Sequence, residues 1–344
     1  MAVEIENLKF GIVGCGNIGS RHAGHVSSVG ELYAVCDTNS DKLAPYDNQP
    51  EIKQFHDLGS MLEEARESID VVSICTPNGL HKEHTIQALE AGCHVLCEKP
   101  MALTARDCGD MIKAAERANK RLFVVKQNRY NPPVIAVKKL LDEGKLGRIF
   151  SVHLNCFWNR NARYYESDWK GSRELDGGCL FTQFSHFIDL LYWMVGDITQ
   201  LQGLVGNYDH SDTIQFEDSG VVIGKFDNGA LGSINFSINS YQKNMEGSLT
   251  LFCEHGTVKI GGQYLNELEY QNISDDSLEN VEVVHKANDY GHYQGSMSNH
   301  DKVYANLADV LKNSGQIGTS GYEGLKTVDM IERIYAASSS TTVN

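Results

Sequence analysis

The chain has 344 residues, enough for two domains, and its 41% hydrophobic and 22% charged residues are typical of a globular protein. Its 30 basic and 45 acidic residues give a net charge of −15, which argues against nucleic acid or an anionic membrane as a partner. No apolar run approaches the ~18 residues of a membrane span. Nine cysteines, several inside apolar runs, predict a reduced, cytoplasmic protein.

Short apolar strands alternate with helices through the first third of the chain. Such strands are predicted at 10–13, 32–36, 71–75, 94–97 and 122–125. Helices are predicted between them at 18–29, 58–65, 81–91 and 104–118, the last capped by Thr104. Strands this apolar are covered on both faces, so the pattern predicts a parallel sheet between two layers of helices.

The second half of the chain changes character. A strand is predicted at 151–158, a helix at 180–194, and strand-length runs separated by turns from 198 to 270. These runs are typical of an antiparallel sheet with one exposed face. Two helices follow at 300–312 and 322–337, and we expect the Ser/Thr-rich tail at 338–342 to be frayed.

A glycine-rich motif, Gly14-Cys15-Gly16-Asn17-Ile18-Gly19, joins the first predicted strand to the first helix. In this context the three glycines allow a tight turn, approach of a pyrophosphate and close helix–strand packing. The helix N-terminus then offers N–H groups to the phosphates. Asp37 ends the second strand, where a carboxylate binds ribose hydroxyls and repels a 2′-phosphate. An ordinary glycine turn is the alternative, but the context predicts NAD, and NAD over NADP.

Polar residues follow the fourth and fifth predicted strands, in Thr76-Pro77-Asn78 and Glu98-Lys99-Pro100. Ligands of such sheets bind at the carboxyl ends of the strands, although a plain turn would give the same pattern. Oxidation of a secondary alcohol removes a hydride and a proton. A cation such as Lys99 near the oxygen lowers the cost of the developing alkoxide.

A predicted helix after Asp176-Gly177-Gly178 carries His186 and Asp189. Positions 182, 186 and 189 share one face of that helix. A histidine facing a cleft can act as a general base near neutral pH, whereas a lone histidine on an apolar helix is more often a packed core residue.

Together these motifs resemble the glucose–fructose oxidoreductase / inositol dehydrogenase / rhizopine catabolism (Gfo/Idh/MocA) family over essentially the whole chain. The resemblance implies an α/β fold with a doubly wound, parallel Rossmann domain at 1–126. It also implies an α/β domain at 127–344 with a large open, mostly antiparallel sheet, and a C-terminal helix that packs back on the first domain. In the family the equivalents of Lys99 and His186 flank the reacting carbon.

The chain departs from the family at one position. The family commonly has Asp or Asn four residues before the histidine, where this chain has Thr182. A threonine hydroxyl can bind a substrate hydroxyl but cannot act as a base, and the neighbouring Gln183 is placed to reach the cleft instead. Whether His186 or Lys99 takes the proton stays open.

Three segments, 126–133, 164–171 and 244–248, resemble a narrower branch of the family. Its enzymes oxidise the 3-hydroxyl of UDP-N-acetylglucosaminuronic acid on the route to bacterial surface polysaccharides. Such a substrate carries a diphosphate and a carboxylate, so an acidic protein needs a local cationic patch to bind it. The cations at 160, 163, 170 and 173, interleaved with aromatic residues, predict that patch, although solvated loop charges would look the same.

The predicted sites follow from these motifs and from the resemblance. Catalysis is assigned to Lys99 and His186. The predicted cofactor-binding residues are Gly14, Gly16, Asn17, Ile18, Gly19, Asp37, Thr76, Asn78, His81, Glu98, Lys99 and Gln127. The predicted substrate-binding residues are Lys99, Asn128, Arg129, Arg163, Tyr164, Tyr165, Trp169, Lys170, Thr182, Gln183 and His186. Cys93 and Cys97 lack a second pair, so no metal is predicted.

We therefore expect an NAD-dependent oxidoreductase acting on a sugar nucleotide, at C3 in the narrower resemblance. One alternative is a dehydrogenase of a free sugar or inositol. A second is an NAD-binding regulator without catalysis, which the presence of Lys99 and His186 disfavours. A homodimer or homotetramer formed through the exposed face of the C-terminal sheet is expected.

Overall fold

The structure is a computed structural model that describes residues 7–274, 277–279, 281–283, 287–291 and 293–341. The chain divides into two units. The first comprises Met1–Lys126 and His300–Val328, and the second comprises Gln127–Asn299 and Asp329–Asn344. A late segment of the predicted second domain is therefore grouped with the first unit. Among the described residues, none of the helices has the length and apolarity needed to cross a membrane.

The first unit is built on a six-stranded parallel sheet. Its strands lie in the order β3-β2-β1-β4-β5-β6. The three central strands β1, β4 and β5 are almost entirely buried, as expected for strands covered on both faces. This arrangement confirms the predicted Rossmann-type sheet. The strands are β1 (Leu8–Val13), β2 (Gly30–Cys36), β3 (Lys53–Phe55), β4 (Val71–Ile74), β5 (His94–Cys97) and β6 (Leu122–Val124).

Helices connect these strands, and three of them begin at a side-chain cap, which is Asn39, Asp57 or Thr104. The carboxylate of Asp57 accepts a hydrogen bond from the Ser60 N–H, and the hydroxyl of Thr104 accepts one from the Asp107 N–H at 3.0 Å. The Thr104 cap was predicted from the sequence. The helices are α1 (Asn17–Val26), α2 (Ser40–Leu43), α3 (Leu58–Ala65), α4 (His81–Glu90) and α5 (Ala105–Ala118).

The turn from β1 to α1 depends on its glycines. Gly14 has a φ of +88°, which side-chain-bearing residues rarely adopt, and a Cβ there would lie 2.7 Å from the Cys75 backbone. A Cβ on Gly19 would lie only 1.8 Å from the Gly14 carbonyl oxygen. A Cβ on Gly16 would meet no atom within 4 Å. The first and third glycines of the motif are therefore needed by the fold itself, and the second is not.

The second unit is built on an eight-stranded mixed sheet. The strands lie in the order β13-β12-β11-β7-β10-β9-β8-β16. Most pairs are antiparallel, as predicted, but β7 pairs with β10 in parallel and β16 with β8 in parallel. A separate hairpin contains two short strands. The strands are β7 (Ile149–Phe157), β8 (Ile198–Gly206), β9 (Ser219–Phe226), β10 (Leu231–Ser237), β11 (Glu246–Cys253), β12 (Gly256–Gly261), β13 (Glu267–Ile273), β14 (Ala287–Asp289), β15 (Gln294–Met297) and β16 (Ser338–Thr341).

Two sequence predictions for this half of the chain are wrong. The tail expected to be frayed forms β16 over Ser338–Thr341, because its backbone continues the edge of the sheet beside β8. The single helix predicted at 180–194 is broken at Gln183 and Phe184 into two helices. The remaining helices are α6 (Pro132–Asp142), α7 (Cys179–Thr182), α8 (Ser185–Val195), α9 (His300–Asn313) and α10 (Gly321–Ala336).

One face of the large sheet carries exposed apolar side chains. The strand register places Ile223 opposite Gln202 and Ser233. Side chains directly opposite one another, and those two residues further along each strand, lie on the same face of the sheet. The six apolar side chains of this outer face are between 41% and 62% exposed. They are Leu204, Val221, Ile223, Leu231, Phe252 and Tyr270. This is the exposed face that the alternating strands predicted.

All nine cysteines are free and buried. Cys93 and Cys97 donate to carbonyl oxygens of Ile69 and Glu98, so each thiol is used within the fold. Burial raises the pKa of Cys15 and Cys36 to about 12, and these thiols stay protonated at neutral pH. The cysteines therefore act as small apolar residues, in accord with the sequence analysis.

We predict that Gly19→Ala lowers the free energy of unfolding by about 1–3 kcal/mol, because the added methyl group overlaps the Gly14 carbonyl. Gly16→Ala, placed in open space at an ordinary φ of −68°, is the matched control and leaves stability at or slightly above that of the wild type. Urea unfolding followed by circular dichroism measures both. Equal stability of the two variants would contradict the packing role of Gly19.

Candidate active site

The carboxyl ends of the strands in the first unit bring the predicted cofactor residues to one edge. The Gly14 N–H donates to the Cys36 carbonyl at 2.8 Å, and the Glu98 N–H donates to the Ile74 carbonyl at 3.0 Å. The motif after β1 is thereby joined to the end of β2, and the residue after β5 to the end of β4. Open space at Gly16, in front of the N-terminus of α1, fits the close approach of a diphosphate.

Asp37 lies beside the glycine-rich turn. Its Oδ2 accepts a hydrogen bond from the Cys15 N–H at 2.7 Å, and its Oδ1 accepts one from the Asn39 N–H at 2.9 Å. The side chain is only partly buried. A carboxylate fixed at this position suits the hydroxyls of an adenosine ribose and repels a 2′-phosphate.

The residues after β4 are joined to the loop after β5. His81 links them, because its Nδ1 lies 2.7 Å from the Pro100 carbonyl oxygen and its Nε2 lies 2.8 Å from the Thr76 carbonyl oxygen. Burial lowers the pKa of His81, so its neutral form is favoured. The Thr76 hydroxyl contacts His84 at 3.0 Å, and Asn78 is buried. His81 was expected at the cofactor, and in the structure both of its ring nitrogens face backbone carbonyls.

Glu98 lies inside the first unit, 4% exposed. Its Oε2 accepts a hydrogen bond from the Lys99 N–H at 2.9 Å. Its Oε1 lies 2.9 Å from His22 Nε2 and 3.4 Å from His300 Nε2. Burial alone would raise the pKa of this carboxyl, but its contacts with the two histidines outweigh that effect and hold its pKa well below the usual range. Glu98 is therefore an anion enclosed by protein.

His186 lies in the first turn of α8 and contacts Gln127, which lies in a short 3-10 turn over Gln127–Tyr130. The side-chain nitrogen of Gln127 lies 3.3 Å from His186 Nε2. Among the described residues, the Gln127 Oε1 and the Asn128 Nδ2 are buried without a hydrogen-bond partner. Buried polar atoms of this kind are typical of a site that a ligand completes.

Arg129 forms a buried ion pair with Asp189. Its Nε and Nη2 each donate to a carboxylate oxygen at 2.8 Å, and the guanidinium lies 4.9 Å from the centre of the Trp193 ring. Both side chains of the pair are nearly inaccessible. Arg129 was expected to bind substrate. In the structure its guanidinium pairs with Asp189 and so joins the 127–130 turn to α8.

Thr182 also has a partner inside the protein. Its hydroxyl donates to the Asp176 backbone oxygen at 3.1 Å and contacts the carboxylate of the same residue. The other oxygen of that carboxylate accepts a hydrogen bond from the Gly171 N–H at 2.8 Å. A carboxylate therefore lies beside position 182, where the family commonly has an acidic or amide side chain. The sequence analysis missed this role of Asp176, although the residue belongs to the motif that it singled out.

The aromatic segment before α7 is held by Gln183. Its Oε1 accepts a hydrogen bond from Arg160 Nε at 2.7 Å, and its Nε2 donates to the Tyr164 hydroxyl at 2.8 Å. Lys170 Nζ lies 3.8 Å from the centre of the Tyr164 ring. The Tyr293 ring, which the sequence analysis missed because it lies far along the chain, packs 4.8 Å from Tyr164.

The predicted cationic patch is only partly at the surface. Arg160 is 2% exposed and is occupied by its partners within the protein, whereas Arg163 and Arg173 are exposed and Lys170 is partly exposed. Trp169 is partly exposed, and Tyr165 is buried against His210. Arg160, which was expected in the cationic patch, is buried, and aromatic rings and amides enclose its guanidinium.

Both units match known protein families. Residues 8–126 match the model of the oxidoreductase family with an NAD-binding Rossmann fold, and residues 134–259 match that of the GFO/IDH/MocA C-terminal domain. These matches confirm the family resemblance, the α/β fold class, and the predictions of an oxidoreductase and of NAD as its cofactor.

One solved structure covers nearly the whole chain. It is the WlbA dehydrogenase from Bordetella pertussis in complex with NADH and UDP-GlcNAcA. The two proteins are 34% identical with a TM-score of 0.89, and the match covers 97% of this chain and 96% of that one. A likeness of this extent includes both units.

Two curated relatives match shorter regions. A 1-carboxy-3-chloro-3,4-dihydroxycyclo hexa-1,5-diene dehydrogenase from Comamonas testosteroni is 32% identical over 60% of this chain and 51% of its own length. An inositol 2-dehydrogenase from Salmonella typhimurium is 31% identical over 55% of each chain. The matched region thus spans only about half the length of these relatives.

We predict that Asp37→Asn reduces the preference for NAD over NADP by about tenfold or more, because the amide no longer repels a 2′-phosphate. The amide oxygen still accepts from the Cys15 N–H, so the turn keeps its shape. Asp41→Asn, which removes the same charge from an exposed position in α2, is the control and leaves the preference unchanged. Titration of both cofactors by calorimetry measures the effect. Equal binding of NAD and NADP by the wild type would remove Asp37 from this role.

Proposed function

The chain belongs to the GFO/IDH/MocA family of oxidoreductases, and we propose that it oxidises a secondary hydroxyl, at C3, of a sugar nucleotide such as UDP-N-acetylglucosaminuronic acid. The observation that carries this proposal is the 34% identity to the WlbA dehydrogenase over 97% of the chain, because that protein was crystallised with UDP-GlcNAcA and NADH. The Comamonas testosteroni and Salmonella typhimurium relatives are matched over 60% and 55% of the chain.

The charges and rings of the segment 160–173 support a sugar nucleotide. Arg163 and Arg173 are exposed cations in a chain of net charge −15, and a diphosphate needs such groups. Lys170 Nζ lies 5.9 Å from the centre of the Trp169 ring, and both side chains are partly exposed. Lys170 can therefore bind an anion beside a flat ring that stacks on Trp169. A neutral polyol needs no such cluster.

In this proposal Lys99 and His186 act on the hydroxyl that reacts. NAD, when bound, supplies the acceptor for the hydride. The Lys99 ammonium polarises the alcohol oxygen and stabilises the negative charge that develops on it. His186 takes the hydroxyl proton on a ring nitrogen. The Gln127 amide, whose nitrogen lies 3.3 Å from His186 Nε2, orients the ring.

The competing function is oxidation of a free sugar or inositol, which the likeness to inositol 2-dehydrogenase favours. The two functions differ in the charge of the substrate. Only a sugar nucleotide has phosphates to engage Arg163 and Arg173. A regulator that binds NAD without turnover is the third possibility.

We also propose that two copies of the chain pair through the outer face of the large sheet. That face exposes six apolar side chains, which are Leu204, Val221, Ile223, Leu231, Phe252 and Tyr270, and contiguous exposed apolar surface is typical of an interface. A second copy offers the same apolar surface. Two chains of net charge −15 can associate there because the contact is made by apolar side chains. The result is a homodimer, or a homotetramer if a further contact forms.

We predict NAD reduction in the presence of UDP-N-acetylglucosaminuronic acid, weaker reduction with UDP-N-acetylglucosamine, and none with myo-inositol. Absorbance at the NADH band measures turnover, with an external oxidant for the cofactor if the reaction stalls. His186→Ala and Lys99→Met each lose about 100-fold or more in kcat while retaining NAD binding. Turnover of inositol with none of either UDP-sugar would refute the proposal, and tight NAD binding without any turnover would favour the regulator.

We predict that Ile223→Asp converts the oligomer to a monomer, since it places an unpaired charge in the centre of an apolar contact. Tyr322→Asp is the matched control, because Tyr322 is similarly exposed, at 58%, but lies in the first unit. Light scattering after size-exclusion chromatography gives the masses. A monomeric wild type, or an unchanged mass for Ile223→Asp, would exclude this interface.

A further inference from the structure

A continuous buried network of polar side chains ends at Lys99. It begins at Ser73 in β4, whose hydroxyl lies 3.0 Å from that of Tyr304 in α9. The Tyr304 hydroxyl lies 2.9 Å from Nδ1 of His22, and Nε2 of His22 lies 2.9 Å from Oε1 of Glu98. Oε2 of Glu98 then accepts the hydrogen bond of the Lys99 N–H.

Every side chain of this network before Lys99 is removed from solvent. Ser73, His22 and Tyr304 are 0% exposed, and Glu98 is 4% exposed. Burying a carboxylate is costly unless its oxygens are hydrogen-bonded. Each Glu98 oxygen accepts a hydrogen bond, and His300 Nε2 lies 3.4 Å from Oε1 without forming one. The anion is therefore held from three sides by α1, α9 and the backbone of the next residue.

One side-chain hydrogen bond of the network has a fixed direction. A carboxylate accepts only, so His22 donates from Nε2 to Glu98. Burial lowers the pKa of His300 to about 4, so this ring is neutral. Within the part of the chain that the structure describes, both of its ring nitrogens are buried without a hydrogen-bond partner.

We infer that Glu98 is a positioning residue, which fixes the backbone of Lys99 and thereby the place from which its ammonium acts. This inference rests on the proposed function of Lys99 and deepens it. It also changes the expectation that Glu98 contacts the cofactor, because both of its oxygens are directed at protein donors. The histidines and Tyr304 act through Glu98. Tyr304 and His300 lie in α9, so a helix late in the chain helps to position Lys99.

The first test measures the Lys99 amide directly and needs no substrate. Hydrogen exchange of the full-length protein, followed by mass spectrometry of peptides that contain Lys99, reports whether its N–H is bonded. We expect Glu98→Met, which keeps the volume but cannot accept, to speed exchange at Lys99 by at least tenfold. Glu98→Gln keeps an accepting oxygen, so we expect the Lys99 N–H to exchange more slowly in this variant than in Glu98→Met. Wild-type exchange in Glu98→Met would overturn the inference.

A matched control exists in the same sheet. The Asp70 carboxylate accepts from the Lys9 N–H at 2.8 Å, at the amino ends of β4 and β1. Asp70→Leu should speed exchange at Lys9 and leave that at Lys99 unchanged. Faster exchange at Lys99 in this variant would mean that any lost carboxylate loosens the unit, and would count against a specific role of Glu98.

The second test separates positioning from cofactor binding. On whichever substrate the wild type turns over, Glu98→Met is expected to lower kcat at least tenfold, with the Kd for NAD within twofold of the wild type, and Glu98→Gln to recover most of the kcat. A proportional loss of NAD affinity would instead assign Glu98 to the cofactor and overturn the inference. If no substrate reacts, the proposed function fails, while the exchange experiment still decides the role of Glu98.

Elemental analysis of the purified protein completes the set. His22, Glu98 and His300 present three ligand atoms within 4.8 Å of one another, a spacing that a metal ion also accepts. We expect no stoichiometric metal, because the hydrogen bonds already satisfy Glu98. A bound ion that is lost in Glu98→Met would overturn the inference and make these residues ligands.

Discussion

A sheet covered on both faces leaves little room for polar side chains along its strands, and this constraint decides where most polar residues of the first unit lie. β1, β4 and β5 are almost entirely buried, so the predicted site residues follow the strands, and Ser73 is a buried polar exception within β4. Because all six strands are parallel, those residues share one edge. Asp37, Asn78 and Lys99 thus lie at the same edge because the strands that precede them must be apolar to be buried.

A second constraint acts on polar groups that the fold does bury, since each must find a partner. In the second unit Arg129 finds Asp189, and Arg160 finds Gln183. The sequence shows these arginines only as cations near a cleft. Both guanidinium groups are therefore paired inside the protein, whereas Arg163 is exposed.

The sequence was sufficient where a local pattern determines the structure. The glycine motif, the alternating strands and the Thr104 cap each depend on residues close together in the chain, and all were predicted. Partners distant in sequence were not: the pairing of β16 with β8, the parallel contact of β7 with β10, and Tyr293 against Tyr164. The partners of Thr182 and Glu98 within the protein were not predicted either, since a side chain's partner is fixed by tertiary packing.

The burial of every cysteine makes the protein suited to site-specific labelling. All nine thiols lie inside the fold, and burial raises the pKa values of those at positions 15, 36, 93 and 253 to between about 11 and 12. Only the thiolate reacts readily with maleimides, so the native chain resists such reagents while folded. A single cysteine introduced at an exposed position would therefore carry a fluorophore or spin label alone, without prior removal of the natural ones.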